Sequence, residues 1–456
     1  MKTRVKILLN LGKYFVMNKI LGLILFICSL VTVNAQRGFE LDSSKDKVVI
    51  PFKLINNLIF IELELNGVEM TFLVDSGVEE TILFGLEENK EVELYNAEKI
   101  SLRGLGSNDF IEAYKSTKNT IKIANHYIDG AHTVLIVLDQ GINFSPLIGI
   151  PVNGIIGYKF FENYLVGIDY QKSKITVYER SAKNAKIVDD YLPLTITIEA
   201  GKPYVKAQLF HDDESPWSKL LVDTGNSDAV WIFENHKGAI ALPQPNFDDF
   251  LGRGFSGEIY GKRAKIDKFK LGDFSFSNPY AAFPDSLSIK NVNKVRERSG
   301  SLGGETLRRF NCIFDYKNNK IYIKKNDNYN DPFLYNMSGL EIHHSGTEWN
   351  TDRLLMSNPF VKSGDESHYT EQSLYKYKFE LKPVFIVAAV REGSPADKAG
   401  IKVGDKVVKI NNKYAASMTL QKINSILKEE EGKTVRIQVE RKDKIFNFKF
   451  VLKNII

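Results

Sequence analysis

Along most of the chain, apolar and polar residues alternate with a period of two, the pattern of a strand with one buried face. It is clear in Ile59-Phe-Ile-Glu-Leu-Glu-Leu65, Lys174-Ile-Thr-Val-Tyr178 and Lys320-Ile-Tyr-Ile-Lys324, and Thr133-Val-Leu-Ile-Val-Leu138 is a further short β-run. Gly, Asn and Asp break these runs at short intervals from Val48 to about Ile323. The pattern predicts an all-β architecture rather than βαβ units.

Two stretches of this pattern are copies of each other. Phe72-Leu-Val-Asp75-Ser76-Gly77 returns 148 positions later as Leu220-Leu-Val-Asp223-Thr224-Gly225. Ile156-Gly157 precedes Asp169-Tyr170 at the interval by which Leu302-Gly303 precedes Asp315-Tyr316, and both pairs are offset by 146. Four markers in one order at near-constant offset define a duplicated unit of roughly 130 residues. The units are residues 48–180 and 190–325, expected to face each other about a pseudo-twofold axis, with Ser181–Leu192 as the connection.

Beyond Asp331-Pro332 the pattern changes. Strand-like Val384-Phe-Ile-Val387 leads into Gly393-Ser-Pro-Ala-Asp-Lys-Ala-Gly400 and then Gly404-Asp405 to Ile410-Asn411. A helix is expected over Thr419–Lys428, then strands over Val435–Val439 and Phe446–Val451. A polar stretch at about 343–379 reads as a long surface insertion.

The 456-residue chain is 43% hydrophobic and 26% charged, an ordinary globular composition. Its formal charge of +5 invites a nucleic-acid or anionic-membrane reading until its location is considered. Lys2, Arg4, Lys6, Lys13 and Lys19 all precede or open the apolar run Ile20–Val33, and residues 1–35 contain no Asp or Glu. A basic start, a short apolar run and the exit Val33-Asn-Ala35 form the pattern of a secretory signal peptide over 1–35, with Met17 an alternative start. A transmembrane anchor is the competing reading, but the run is short of the roughly 18–20 apolar residues a span needs. Lipid attachment at Cys28 lacks the usual small residues before it. Without residues 1–35 the chain is formally neutral, with 56 charges of each sign, so nucleic acid drops out as a partner. Cys312 is then the sole cysteine, which leaves no intramolecular disulfide. The expected location is periplasmic, cell-surface or secreted, with no membrane span after cleavage.

An apolar-apolar-Asp-Ser/Thr-Gly run is a strand entering a tight turn that presents a carboxylate, with Gly77 and Gly225 where a Cβ would obstruct the turn. Ser76 and Thr224 carry hydroxyls able to tie one turn to the other. A pseudo-twofold axis would bring Asp75 and Asp223 together, and two close carboxyls cannot both ionise cheaply, so they share a proton. The ionised member can take a proton from water while the protonated one polarises a carbonyl. That division of labour hydrolyses a peptide bond with neither metal nor cofactor.

On these residues, 48–325 resembles the aspartic proteases of the pepsin and retropepsin class, as a single two-lobed chain. The similarity rests on Val74-Asp75-Ser76-Gly77, Val222-Asp223-Thr224-Gly225, Ile155-Ile156-Gly157 and Ser301-Leu302-Gly303; Trp231 also follows the second motif as in the longer pepsin pattern. The resemblance implies two β-barrel lobes and catalysis by Asp75 and Asp223. It also implies an apolar-Gly element beneath each loop and a hairpin flap over a peptide or protein substrate. Arg103–Ser107 and Gly254–Gly257 are flap candidates, and Tyr114 or Tyr260 candidate flap tyrosines. Val78 and Asn226 depart from the small residue usual after the Gly, and Glu79 and Glu80 add charge. A chain that keeps this fold as a peptide-binding scaffold without chemistry is the alternative.

Residues 335–453 resemble a PDZ domain of the kind attached to bacterial exported proteases, on Gly393–Gly400, Gly404-Asp405 and Ile410-Asn411. The resemblance implies capture of a peptide C-terminus on the loop Ser338-Gly339-Leu340 and the strand through Ile342. A packing module without ligand is the other reading. The seven His residues show no zinc-ligand spacing and read as solvated surface, including His343, His344 and His368 of the insertion. Cys312, between Phe310 and Ile313, reads as buried.

Overall fold

The computed structural model describes residues 38–456, apart from 87–89, 103–110, 138–141, 235, 255–256, 290–294 and 356–374. The export signal expected over 1–35, with Cys28, lies outside the described residues. The structure is mostly β, with short helices at loops and one two-turn helix near the C-terminus.

The first lobe opens on β1 (Lys47–Pro51), whose Val48 and Ile50 turn inward while Lys47, Val49 and Pro51 face out. Strands β2 (Leu58–Leu65) and β3 (Val68–Val74) make a hairpin through Asn66-Gly67. Both turn residues have positive φ, as a two-residue hairpin turn of matching twist requires. The helical turn α1 (Ser145–Ile148) leads to β4 (Gly154–Ile156), β5 (Leu165–Asp169) and β6 (Lys174–Tyr178). The second lobe repeats this: β7 (Leu192–Glu199), β8 (Lys202–Phe210) and β9 (Trp217–Val222), then a hairpin of β10 (Asn246–Gly254) and β11 (Gly257–Lys265), then β12 (Arg298–Leu302), β13 (Phe310–Asp315) and β14 (Lys320–Lys325). In the first lobe β4 runs parallel to β3 with Ile156 opposite Val74; in the second, β12 runs parallel to β9 with Leu302 opposite Val222. The duplicated sequence thus folds twice into one local design.

Between the lobes lies a six-stranded layer in the order β1-β6-β5-β13-β14-β7, three strands from each half. Its core side chains include Ile168, Cys312 and Phe314, all essentially unexposed, and Phe161 meets Phe314 at 5.1 Å between ring centres. Burial raises the Cys312 thiol far above its ordinary range, so it is an inert packing residue. Ser181 caps the connecting helical turn by accepting from the Asn184 N–H at 3.3 Å.

The third domain is a sheet in the order β15 (Leu340–Leu355), β16 (Tyr375–Val390), β17 (Lys406–Ile410), β18 (Thr434–Arg441) and β19 (Lys444–Val451), crossed by α2 (Leu420–Leu427). Strand β15 is at the edge. Helix α2 starts where the Thr419 hydroxyl accepts from Lys422 N–H, and Leu420, Ile423, Ile426 and Leu427 bury one face. The expected turn begins at Pro395, is capped by Ser394, and stops at Gly400, whose φ is +92°. Asp405, buried, is held by Arg441 through two bonds of 2.6 and 2.7 Å. The stretch read as an insertion is, over its described residues, the outer part of a β15–β16 ribbon running from Leu340 opposite Val390 to Leu355 opposite Tyr375. No helix among the described residues is long and apolar enough to cross a membrane.

The link into this domain is clamped by Arg309, which is fully buried. Its guanidinium meets the Glu305 carboxylate at 2.6 Å and the carbonyls of Tyr329 and Asp331 at 3.1 and 2.5 Å. The domain then rests on the β10–β11 hairpin, with the Arg391 guanidinium 4.2 Å from the Phe247 ring centre and Tyr335 against Phe247 at 5.3 Å.

Candidate active site

Strands β3 and β9 each deliver an aspartate to the axis between the lobes. The Asp75 N–H donates to the Ile156 carbonyl at 2.9 Å, and the Asp223 N–H donates to the Leu302 carbonyl at the same distance. Each apolar-Gly element therefore props the loop of its own lobe. A Cβ at Gly157 would stand 2.3 Å from the Val78 carbonyl oxygen, and one at Gly303 equally close to that of Asp228, so no larger residue fits.

The two turns are cross-tied by the hydroxyls singled out in the sequence. Thr224 Oγ1 accepts from the Ser76 N–H at 2.9 Å and donates to the Val74 carbonyl at 2.8 Å. Ser76 Oγ accepts from the Thr224 N–H at 3.1 Å and donates to the Val222 carbonyl at 2.7 Å. Both residues are buried, so each hydroxyl satisfies two backbone groups that water does not reach.

Asp75 and Asp223 hydrogen-bond each other directly. Asp75 also accepts from the Gly77 N–H at 2.7 Å, and Asp223 from the Gly225 N–H at 3.1 Å. Asp75 is buried and Asp223 partly exposed. Burial, then the charge of Asp223, holds the Asp75 carboxyl well above the ordinary range, against the pull of the Gly77 N–H and Lys202. Burial also raises Asp223, opposed by Arg298 and then by the bond from Asp75. Two touching carboxyls, one buried and one half-buried, both with raised affinity for a proton, hold one between them.

Several neighbours escaped sequence reasoning. Lys202 opens β8 directly after the Ala200-Gly201 turn; burial and Arg298 lower its ammonium, while Asp75 and Asp223 support its charge. Arg298, also lowered by burial, donates to Ser301 Oγ at 2.8 Å. The hairpin tip at Asn57 reaches the other lobe, donating to the Ser227 carbonyl and the Glu305 carboxylate at 2.9 Å each. The matching tip at Gly201 leans on Glu79, where a Cβ would lie 2.9 Å from Glu79 Cγ. Glu79 thus borders an interlobe contact, and Asn226 accepts through its side chain from the Asp228 N–H. No motif marks these contacts; they follow from the pseudo-twofold axis.

Of the flap candidates, Arg103–Ser107 lies outside the described residues, as does the 255–256 tip of the β10–β11 hairpin. Tyr114 pairs in the sheet opposite Lys99 and Ile136 and packs against the core. Tyr260 donates to Glu258 at 2.6 Å, and this bond helps push its phenol up to about 12. In the third domain Gly339 has a φ of +78°, and Leu340 and Ile342 turn their side chains into the core, leaving backbone at the strand edge. The solvated-surface reading of the histidines fails at His132. It is buried, with Nδ1 2.7 Å from Asp129 and Nε2 2.7 Å from the Thr81 hydroxyl, because both partners turn inward beside it. His368 lies outside the described residues. His211, Asp212 and Asp267 come within ligand reach of one another, but the two carboxylates flank opposite ring nitrogens at 3.4 Å, an ion-pair arrangement.

The family model of the PDZ domain matches residues 386–441. Among solved structures, an aspartic proteinase from Irpex lacteus is similar at 12% identity and a TM-score of 0.40, over 62% of this chain and 99% of that one. No curated protein matches the chain in sequence. The chain is therefore a mostly β protein carrying a PDZ domain.

Proposed function

We propose that the chain is an exported aspartic-type endopeptidase in which Asp75 and Asp223 share one proton and activate a water. The observation that carries the reading is the mutually hydrogen-bonded carboxyl pair on two buried, cross-tied turns. The ionised carboxyl takes a proton from the water as its oxygen attacks the peptide carbonyl carbon; the protonated carboxyl gives its proton to the carbonyl oxygen. Collapse of the resulting gem-diol returns a proton to the leaving amine and restores the pair. Ser76, Gly77, Thr224 and Gly225 hold the geometry. The PDZ domain supports peptide or protein binding, through the Gly339-Leu340 loop and the β15 edge. Export rests on the basic and apolar pattern of residues 1–35.

The test is incubation of the purified chain with a diverse peptide library from about pH 3 to 8, across the titration of carboxyl pairs. Cleavage that disappears in Asp75→Asn and Asp223→Asn, with folding retained, is the expected outcome. Cleavage surviving either substitution would sink it, and peptide binding without any cleavage would identify a scaffold.

A further inference from the structure

The edge of β15, where a peptide would add as a further strand, is covered by another part of the same chain. The turn α1 packs against β15, and helix α2, the opposite wall of the groove, closes over it. At Gly149, which ends α1 with a φ of +82°, a Cβ would lie 2.8 Å from the Leu420 Cβ. Next along the helix, Gln421 Nε2 donates to the Leu54 carbonyl of the first lobe at 3.0 Å. Leu147 and Ile148 line the same cavity, of about 650 Å³, as Gly339, Leu340, Asn424 and Lys428. Leu420 and Asn424 of α2 and Lys428 at its C-cap recur every four residues, one stripe along the helix, so the first-lobe turn occupies the Leu420 end of the groove. What stays open is the pocket at the Gly339-Leu340 end.

The turn is well anchored to its own lobe. Gly149 N–H returns to the Ser145 carbonyl at 2.7 Å, Ser145 Oγ accepts from Val152 N–H at 3.0 Å, and Phe144 meets Phe84 at 5.0 Å. The strand that follows is β4, whose Ile156 carbonyl holds Asp75. The plug and the carbonyl that props Asp75 thus lie on one short, continuous segment.

We infer that the PDZ groove is latched in cis: residues Ser145–Gly149 of the first lobe and an incoming peptide C-terminus exclude each other. Peptide capture then requires the domain to lift from the first lobe, and this rests on the peptide-binding reading of the groove above. The latch lowers apparent peptide affinity by the fraction of molecules unlatched.

The test uses the full chain carrying Asp75→Asn, so that no probe is consumed and the result does not depend on peptidase activity. The probe is a fluorescent pool of nonapeptides randomised at their last four positions, with free C-terminal carboxylates. Gly149→Asn keeps a residue tolerant of positive φ but drives a side chain into Leu420; Leu147→Glu puts a charge into the covered groove. Both are expected to bind the pool at least about tenfold more tightly than the unlatched-fraction penalty allows the parent to. Both should also speed hydrogen exchange at the β15 edge. Equal affinity in parent and variants would overturn the latch. If no form binds the pool, exchange decides: unchanged protection of β15 in both variants overturns it, and faster exchange supports it. Loss of cleavage in the wild-type background would bear on the peptidase reading and leave these two readouts standing.

Discussion

Replacing Thr224 by Val removes one hydroxyl at almost constant volume. It leaves the Ser76 N–H and the Val74 carbonyl, now bonded to Thr224 Oγ1 at 2.9 and 2.8 Å, without partners in a site water does not reach. An unsatisfied buried group costs about 1–3 kcal/mol, so the substitution should destabilise the chain by roughly 2–6 kcal/mol. Ser76→Ala strands the Thr224 N–H and the Val222 carbonyl in the same way and belongs in the same range. The four bonds share one interface, so the double variant should lose less than the two single losses combined, because the first already loosens the turns. Urea denaturation followed by tryptophan fluorescence measures all three. A Thr224→Val chain within about 0.5 kcal/mol of the parent, the scale of an ordinary surface substitution, would refute the claim that these hydroxyls lock the lobes together.

Three further outcomes follow from other sites. Both carboxyls of the pair are raised above the ordinary Asp value of 3.8, so the stability they allow is complete below that value and is lost as pH rises through their folded values. Thermal denaturation should therefore show stability falling from mildly acid toward alkaline pH, and Asp75→Asn should flatten that slope. In the PDZ domain, burial pushes Asp405 up but its bonds from Arg441 and the Lys402 N–H outweigh it, so its pKa is lowered; here stability is lost as pH falls through the folded value. Arg441→Met should cost about 1–3 kcal/mol by leaving the buried Asp405 carboxylate without its guanidinium donors, read as lost hydrogen-exchange protection in β17 and β18. Arg309→Met, stranding the carbonyls of Tyr329 and Asp331 and removing one of several donors to Glu305, should make the link at 327–333 sensitive to limited proteolysis; a chain cut no faster than the parent there would contradict the clamp.

The duplicated markers were legible because each does a local job that restricts residue type. Gly157 and Gly303 lie against carbonyl oxygens, and Ser76 and Thr224 need a hydroxyl, so the chemistry leaves a trace in the letters. The alternation in Lys174–Tyr178 and Lys320–Lys324 likewise predicted strands where strands occur. Lys202, Arg298 and Asn57 left no such trace. Their roles arise from contact between segments far apart in the chain, such as Asn57 with Ser227, and any residue of suitable length reads the same in isolation. His132 misled for a related reason: its partners Asp129 and Thr81 satisfy both ring nitrogens, and only the fold brings Thr81 there. The cover over β15 was invisible for the same cause, since Ser145–Ile148 carries no pattern that announces a neighbour near residue 420.

The layer between the lobes takes β1, β6 and β5 from one half and β13, β14 and β7 from the other, and each half brings one aspartate. A chain severed within the exposed connection at 181–191 would yield two pieces, neither able to satisfy its open strand edge alone. The two pieces, coexpressed, should therefore find each other and rebuild the carboxyl pair, as a heterodimer whose assembly is switched on by bringing them together. The peptide link between the lobes thus acts as a tether that sets local concentration, and the recognition itself resides in the strands and hydroxyls on either side of the axis.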